Sequence, residues 1–425
     1  MRSHAQPPSP SSQIASGIDR HGQTRCDAIY GWCLVAATIA LFCLSCGVAY
    51  YSFGVYFEPI VRSYGWSPAH AAIAFAIMQS AAYATSPIWG ALIHRLGIRG
   101  VLLGGTAVLA LAFFGLSKLQ SLSGLILGCG LAGVGIGAFL TVPLAAIGEW
   151  FEDRRSLATG IALSGFGLSA FMAPLVNLAI ATYGWRMVFS VAAFAMILIA
   201  GPLCLLFPRR TPVAPAEAAP NAGPVDEVDF TAKEALSTPA FWRLAGLFLL
   251  STVGVTAIYP FVVIYLEGIG FQRSLAVFSV SGLTACAGLG SILCGLFADR
   301  IDKKRIAIVA FVVQASAVAL LAFVTEPWQL AVFVIAAGGS AGALMPLIPA
   351  LVADYFGMRS FALILGMVYA PAMVFWLPIP SVVGWSAEYS GSFTPAWLAL
   401  GALTFASIAL AARLKPPVVA RAMRL

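Results

Sequence analysis

Long runs of apolar residues, separated by short polar stretches, occupy most of the chain. Each run is long enough to cross ~30 Å of hydrocarbon as an α-helix. The alternating ~10-residue segments typical of a membrane barrel do not occur in the sequence. We therefore predict an all-α polytopic membrane protein with twelve transmembrane helices, at 29–57, 69–93, 99–117, 122–148, 156–181, 185–207, 240–266, 274–298, 305–324, 328–353, 360–386 and 394–413.

Composition supports a membrane protein and also orients it. Charged residues make up 10% of the chain and hydrophobic residues 60%, with a mean hydropathy of +0.92, whereas soluble domains carry about a quarter charged residues. Of the 24 Lys and Arg, only Arg62, Lys118, Arg186 and Arg273 fall on one side of the predicted membrane. The positive-inside rule then predicts a multi-pass protein of the cytoplasmic (inner or plasma) membrane, with both termini cytoplasmic. The net charge of +7 reflects this topology and attraction to the lipid bilayer, so we expect no nucleic-acid partner.

A Pro-, Ala- and acid-rich stretch divides the apolar runs into two sets of six. The sequence predicts a cytoplasmic N-terminal tail (1–28), an N-terminal six-helix bundle (29–207) and a cytoplasmic linker (208–239) that ends in a short amphipathic helix. A C-terminal six-helix bundle (240–414) and a cytoplasmic tail (415–425) follow.

The two halves match at a constant offset of 205 residues. The matched pairs are Gly65 and Gly270, Gly90 and Gly295, Arg95 and Arg300, Gly133 and Gly338, Gly137 and Gly342, Glu149 and Asp354, and Phe151 and Phe356. This register predicts a duplicated six-helix unit, giving two pseudo-symmetric bundles. Repeats of this kind place a solute site at their interface, near the middle of the membrane.

Two basic turns occupy equivalent places in the two halves, "GALIHRLGIRG" at 90–100 and "GLFADRIDKKR" at 295–305. Their leading glycines permit close helix approach, and their basic side chains can interact with carboxylates and helix ends. We predict a gating latch at the cytoplasmic face, built from Gly90, His94, Arg95, Arg99, Glu149, Arg154, Arg155, Gly295, Asp299, Arg300, Asp354 and Arg359. The alternative interpretation is that the basic residues only anchor the topology.

The two turns carry the motif G-x-x-x-D-R-x-G-R-[KR], partial at 90–99 and recognisable at 295–304. With this motif the sequence resembles the major facilitator superfamily. Three stretches, at 51–69, 149–170 and 229–242, are similar to monocarboxylate and oxalate:formate transporters. The resemblance implies alternating access by rocking of two six-helix domains. His94 replaces the usual Asp of the first copy, which weakens the anionic end of a latch there.

Transporters of the resembled branch hold carboxylates with cationic residues in the cavity. This sequence has Tyr51 at the matching position of the first span, Ala287 and Ser291 in place of an acid–Arg pair, and no Lys in the eleventh span. We therefore predict an uncharged site. The first, fourth, seventh and tenth spans should be central, with the second, fifth, eighth and eleventh flanking them. Large amphipathic side chains on these spans are the candidates for binding solute, namely Tyr51, Gln79, Tyr259, Tyr369 and Trp376. Helix–helix hydrogen bonding is the alternative role for such residues.

These features favour a secondary transporter of a small organic solute, either a mono- or dicarboxylate or an aromatic acid. The alternatives are transport of an uncharged or zwitterionic aromatic metabolite, and a transporter-like sensor. An intramembrane enzyme is disfavoured because no His lies at membrane depth: His4 and His21 belong to the N-terminal tail, and His70 and His94 stand at the two ends of the second predicted span. We assign the CxxC of Cys43 and Cys46 to helix packing, and predict a monomer with no catalytic residue, metal or cofactor.

Overall fold

The computed structural model describes residues 29–66, 68–151, 154–209, 230–376 and 378–417. The predicted N-terminal tail, most of the linker and the last residues of the C-terminal tail lie outside these ranges. The described residues form helices and turns, with no strand among them. The all-α fold class is thereby confirmed.

Within the described residues, ten helices are long and apolar enough to cross a membrane. One of them, Ala72–Ser117, combines two predicted spans, and Pro239–Gly268 is a further 30-residue helix at the place of the seventh. The arrangement is consistent with twelve spans. In chain order these are Ile29–Tyr51 (continued by Phe53–Tyr64), Pro68–Ser117 (second and third), Leu122–Trp150, Arg155–Tyr183, Trp185–Leu205, Pro239–Gly268, Arg273–Ala298, Lys303–Leu321, Pro327–Phe356, Phe361–Ser390 and Thr394–Ala412.

Several spans are broken where the sequence disfavours a regular helix. Gly97 separates the second and third spans with φ 70° and ψ 167°, a conformation that favours glycine. The fifth span consists of Arg155–Ser169 and Met172–Tyr183, and the sixth passes through a π-helical turn, Met196–Ala200, between Trp185–Ala195 and Gly201–Leu205. The eleventh changes from Phe361–Tyr369 to a 3₁₀ turn, Ala370–Val374, and resumes at Pro378–Ser390, since prolines cannot donate backbone hydrogen bonds.

Glycine contacts repeat between the two halves with the offset found in the sequence. A Cβ at Gly133 would lie 2.1 Å from the carbonyl oxygen of Met78, and a Cβ at Gly338 would lie 2.4 Å from that of Leu283. Both the glycines and their neighbours are 205 residues apart. The same holds for a second set of contacts, Gly137 with Ala82 and Gly342 with Ala287. The duplicated register therefore corresponds to equivalent packing of the second span on the fourth and of the eighth on the tenth.

The two bundles meet along two pairs of spans, the fifth with the eighth and the second with the eleventh. We call the face that holds Ile29, the kink at Gly97 and the turn at Asp302 the terminal face, because the described chain begins and ends there. A short helix between the bundles, Ala232–Leu236, begins with a capping box formed by Thr231 and Glu234. It lies at the terminal face, where the Phe230 N–H donates to the Phe356 carbonyl.

Candidate functional site: a chamber between the bundles

A chamber lies between the two bundles, midway along the spans. The cavity volume of the chamber is about 140 Å³, close to the ~150 Å³ of an apolar cavity that holds benzene. None of the described residues that line the chamber carries a charge. Its polar and aromatic lining is Tyr50, Tyr51, Gln79, Tyr83, Phe166, Phe248, Ser251, Thr252, Tyr259, Thr284, Ser291, Gln314, Tyr369 and Trp376.

All five predicted solute-binding residues belong to this lining. Tyr51 and Gln79 come from the N-terminal bundle, and Tyr259, Tyr369 and Trp376 from the C-terminal bundle. The sequence placed them on central and flanking spans of both halves, and the fold brings those spans around one space. Whether they bind a solute remains a prediction.

A π-helix in the first span positions its two tyrosines. The segment Cys43–Tyr51 is π-helical, and such turns are rare and frequently lie at functional sites. It ends at Ser52, whose hydroxyl donates to the Gly47 carbonyl at 2.7 Å. Tyr50 and Tyr51 pack edge to face, with ring centroids 4.8 Å apart. Both side chains thereby reach the chamber from consecutive positions.

Aromatic rings cross the chamber from one bundle to the other. Trp376 of the eleventh span stacks on Tyr83 of the second at 6.0 Å and meets Tyr50 of the first edge-on at 6.2 Å. Phe248 of the seventh span lies 5.9 Å from Tyr83 and stacks on Tyr369 at 4.1 Å. The chamber is thus bounded by rings that contact each other from the two bundles.

The polar groups of the chamber are only partly engaged with each other. The hydroxyls of Tyr259 and Thr284 are 3.4 Å apart. The indole Nε1 of Trp376 is buried and has no hydrogen-bond partner among the described residues. A donor of this kind in an apolar site favours an incoming acceptor.

Sequence reasoning did not select the other nine polar and aromatic lining residues, Gln314 and Phe248 among them. Gln314 belongs to the ninth span, which the sequence treats as peripheral, yet it lines the chamber. An amide in the middle of an otherwise apolar span is itself a signal, because such a group needs a partner in hydrocarbon. Phe248 gives no comparable signal, since one more aromatic residue in an apolar span is ordinary.

Asp299 connects the two bundles at the terminal face. Its carboxylate accepts hydrogen bonds of 3.1 Å from the backbone N–H groups of Ser156 and Leu157. These residues lie in the first turn of Arg155–Ser169, where N–H groups have no partner within the helix. The eighth span thereby caps the fifth, and a negative charge is favourable at this end of a helix.

The two motif glycines allow the bundles to approach closely, Gly295 beside this contact and Gly90 where the second span packs on the eleventh. A Cβ at Gly295 would lie 2.7 Å from the Ser156 carbonyl oxygen, and one at Gly90 would lie 2.6 Å from that of Ala362. The second contact lacks the carboxylate of the first, because His94 stands at the position equivalent to Asp299. The start of the eleventh span, Phe361–Tyr369, has no capping side chain from its N-cap residue, and His94 is exposed.

The other predicted latch residues lie at the same face and make mainly local contacts. Asp354 pairs with Lys303 at 2.6 Å. Its counterpart Glu149 has an oxygen with no described hydrogen-bond partner, since the residue matching Lys303 is the apolar Ile98. The Nε of Arg99 donates to the Phe207 carbonyl and that of Arg155 to the Gly148 carbonyl, while Arg95, Arg154, Arg300 and Arg359 are exposed. A role of these residues in gating remains a prediction.

The described residues contain no group of three or more His, Cys, Asp or Glu side chains that could hold a metal ion. Cys43 contacts the Gly165 carbonyl at 3.7 Å and Cys46 the Ser45 hydroxyl at 3.8 Å. The groups that the chamber lining presents are aromatic faces, hydroxyls and side-chain amides.

Comparisons with known proteins agree with this architecture. The profile of the Major Facilitator Superfamily matches residues 37–292 and 278–423. Monocarboxylate transporter 13 of Rattus norvegicus is 28% identical over 389 residues, covering 89% of this chain and 88% of that protein. Monocarboxylate transporter 12 of Xenopus laevis is 30% identical over 336 residues, covering 73% of each.

Among solved structures, the human organic anion transporter MFSD10 (TETRAN) superposes with a TM-score of 0.66 at 14% identity, covering 91% of this chain and 99% of that one. At this identity the likeness shows the fold alone. The family and the fold indicate a transporter of small solutes and not an enzyme. The chain is a multi-pass membrane protein that belongs to the major facilitator superfamily and, within it, to the branch of the monocarboxylate transporters.

Proposed function

We propose that this protein moves a mono- or dicarboxylate or an aromatic acid across the cytoplasmic membrane by alternating access. The observation that carries the proposal is a chamber lined from both bundles, with Tyr51 and Gln79 on one side and Tyr259, Tyr369 and Trp376 on the other. A solute held between two bundles is exposed to one face or the other as they rock.

Hydrogen-bond donors hold the acid in place of a cation. The phenol hydroxyls, the Gln79 amide and the Trp376 indole N–H supply donors without charge. An anion in an uncharged site needs several of them to offset its lost hydration. The similarity to proteins named monocarboxylate transporters supports this solute class.

An uncharged or zwitterionic aromatic metabolite is the second candidate. It is favoured by the chamber lining, in which the described residues bring many rings and no charged side chain. Such a solute avoids the cost of placing a net charge in an apolar site. The two candidates differ in whether a carboxylate is required.

We further propose that the terminal face is cytoplasmic, that both termini lie there, and that a monomer is the transporting unit. The basic residues of the two motif turns, including Arg95 and Arg300, support this orientation through the positive-inside rule. Closure of the terminal face then corresponds to the contact of Asp299 with the fifth span.

Uptake into proteoliposomes tests the proposal. Purified protein is reconstituted, and radiolabelled lactate, succinate, benzoate and phenylalanine are supplied outside with no other gradient. We expect uptake of at least one acid that is saturable and that a shared competitor inhibits. Uptake of phenylalanine alone would favour the second candidate, and no uptake of any of the four above that of empty liposomes would contradict both.

A further inference from the structure

Gln314 is an amide in a span that otherwise contributes little to the chamber. It lies in Lys303–Leu321 of the C-terminal bundle and is 2% exposed. The rest of this helix after its basic first turn is apolar except for Ser316, which is exposed. Burying an amide among apolar side chains is unfavourable unless each polar atom has a partner.

Only one of the two polar atoms of the Gln314 amide is satisfied. Its Nε2 donates to the backbone carbonyl of Ser251 in the seventh span at 3.3 Å. Because a carbonyl oxygen only accepts hydrogen bonds, this contact fixes which end of the amide carries the nitrogen. The oxygen Oε1 is buried and has no hydrogen-bond partner among the described residues.

The other bundle shows that this packing position does not need an amide. The residue 205 positions earlier, in the third span, is Leu109, which is also fully buried. The duplicated fold thus accepts a plain apolar side chain at this place. Gln314 differs from Leu109 in one further respect, since Gln314 lines the chamber and Leu109 does not.

We propose that Gln314 is a specificity-determining residue whose Oε1 accepts a hydrogen bond from an O–H or N–H group of the solute. The inference rests on the proposed function and narrows it. The preferred solute carries a hydrogen-bond donor in addition to its carboxyl group, as a hydroxy acid does. A solute without the donor leaves the oxygen buried and unpaired, and discrimination against it follows.

Two isosteric pairs of acids test the proposal by titration calorimetry on the full-length protein. The pairs are lactate with 2-methylpropanoate and 4-hydroxybenzoate with 4-methylbenzoate, in each of which a methyl group replaces the hydroxyl. We expect the hydroxy acid of at least one pair to bind about tenfold more tightly, the discrimination of one well-formed hydrogen bond. In Gln314→Met that ratio falls to about 1, whereas in the matched control Gln272→Met, at an exposed position outside the chamber lining, it persists.

The outcomes separate this inference from the proposed function. Equal affinity within both pairs in the wild-type protein, or a ratio that survives in Gln314→Met, overturns the role of Gln314 while transport of acids stands. If none of the four acids binds and none is taken up, the role of Gln314 and the proposed transport of acids are both contradicted. If the Met variant does not fold, Gln314→Leu repeats the test, because the other bundle has a leucine at this register. If neither variant folds, equal affinities within both pairs in the wild-type protein would still overturn the role of Gln314.

Discussion

The carboxylate of Asp299 caps the start of the helix Arg155–Ser169 in the opposite bundle. Oδ1 accepts a 3.1 Å hydrogen bond from the Ser156 N–H, and Oδ2 accepts one of the same length from the Leu157 N–H. Both donors would otherwise lack a partner, and both face the side chain of a different six-helix unit. The contact exists only while the bundles are together at the terminal face.

Removal of this cap favours separation of the bundles at the terminal face. Asp299→Ala removes a helix cap worth ~1 kcal/mol, which raises the open fraction about fivefold. Cys294 is buried and directly precedes Gly295, so its rate of maleimide labelling rises when the terminal face opens. The measurement uses protein in which the other seven of the eight cysteines are replaced.

Asp302→Ala is the control for that experiment. Asp302 caps its own helix through the Lys304 N–H at 3.0 Å, so its loss removes a cap without touching the bundle interface. We expect its labelling rate to equal that of the wild-type protein. Equal rates in Asp299→Ala and Asp302→Ala would show that the cross-bundle contact does not hold the face closed.

An aspartate at position 94 should create the missing second cap. His94→Asp places a carboxylate beside the start of Phe361–Tyr369, as Asp299 lies beside the start of Arg155–Ser169. A gain of ~1 kcal/mol lowers Cys294 labelling about fivefold in the Asp299→Ala background. His94→Asn, which lacks the charge, gives a smaller decrease, and no decrease with either residue would contradict the equivalence of the two turns.

A side chain at Gly295 prevents close approach of the bundles. In Gly295→Ala the new Cβ would lie 2.7 Å from the Ser156 carbonyl oxygen, and overpacking of this kind costs about 1–3 kcal/mol. We expect the spin-label distance between positions 96 and 301 to shift toward longer values. Gly115→Ala is the matched control, because a Cβ at Gly115 meets no atom within 4 Å. If Gly115→Ala shifted the 96–301 distance as much as Gly295→Ala does, the shift could not be due to the contact of the new Cβ with Ser156.

Loss of the Tyr51 ring weakens solute binding without disturbing membrane insertion. Tyr51→Ala removes aromatic surface from the chamber wall, and a contact worth ~1.5 kcal/mol corresponds to about a tenfold rise in Kd. Titration with an acid identified in the uptake experiment measures it, and Tyr389→Ala, at an exposed position, serves as the control. Unchanged affinity would remove Tyr51 from the site.

The sequence predicted the helical class and the duplication, and the five side chains it selected as candidates all line the chamber. The length of the apolar runs indicates the helical class, and the constant offset of 205 residues indicates the duplication. The structure repeats that offset in equivalent glycine contacts, Gly133 with Met78 and Gly338 with Leu283. Large polar aromatics are costly between tightly packed helices, so Tyr51 and Trp376 could be selected without knowing the fold.

The contacts of the latch could not be predicted in the same way. Charge patterns suggest ion pairs, whereas Asp299 binds backbone N–H groups, which every sequence has at every helix start. One oxygen of Glu149 has no hydrogen-bond partner among the described residues, and the apolar Ile98 at the position matching Lys303 gives no signal of this in the sequence. Gln314 could not be selected because the ninth span is expected to lie away from the chamber. Whether one of its side chains still extends to the chamber depends on how the helices pack, which the sequence does not show.

Paired distances at the two faces test the central claim most directly. Spin labels at Leu96 and Ile301 report the terminal face, and labels at Tyr183 and Tyr389 report the opposite face; all four side chains are exposed. Double electron–electron resonance on cysteine-free protein carrying each pair is compared with and without Asp299→Ala. Alternating access predicts that the 96–301 distance lengthens in the variant while the 183–389 distance shortens. Distances that stay unchanged, or that change in the same direction at both faces, would contradict the rocking of two bundles around one chamber.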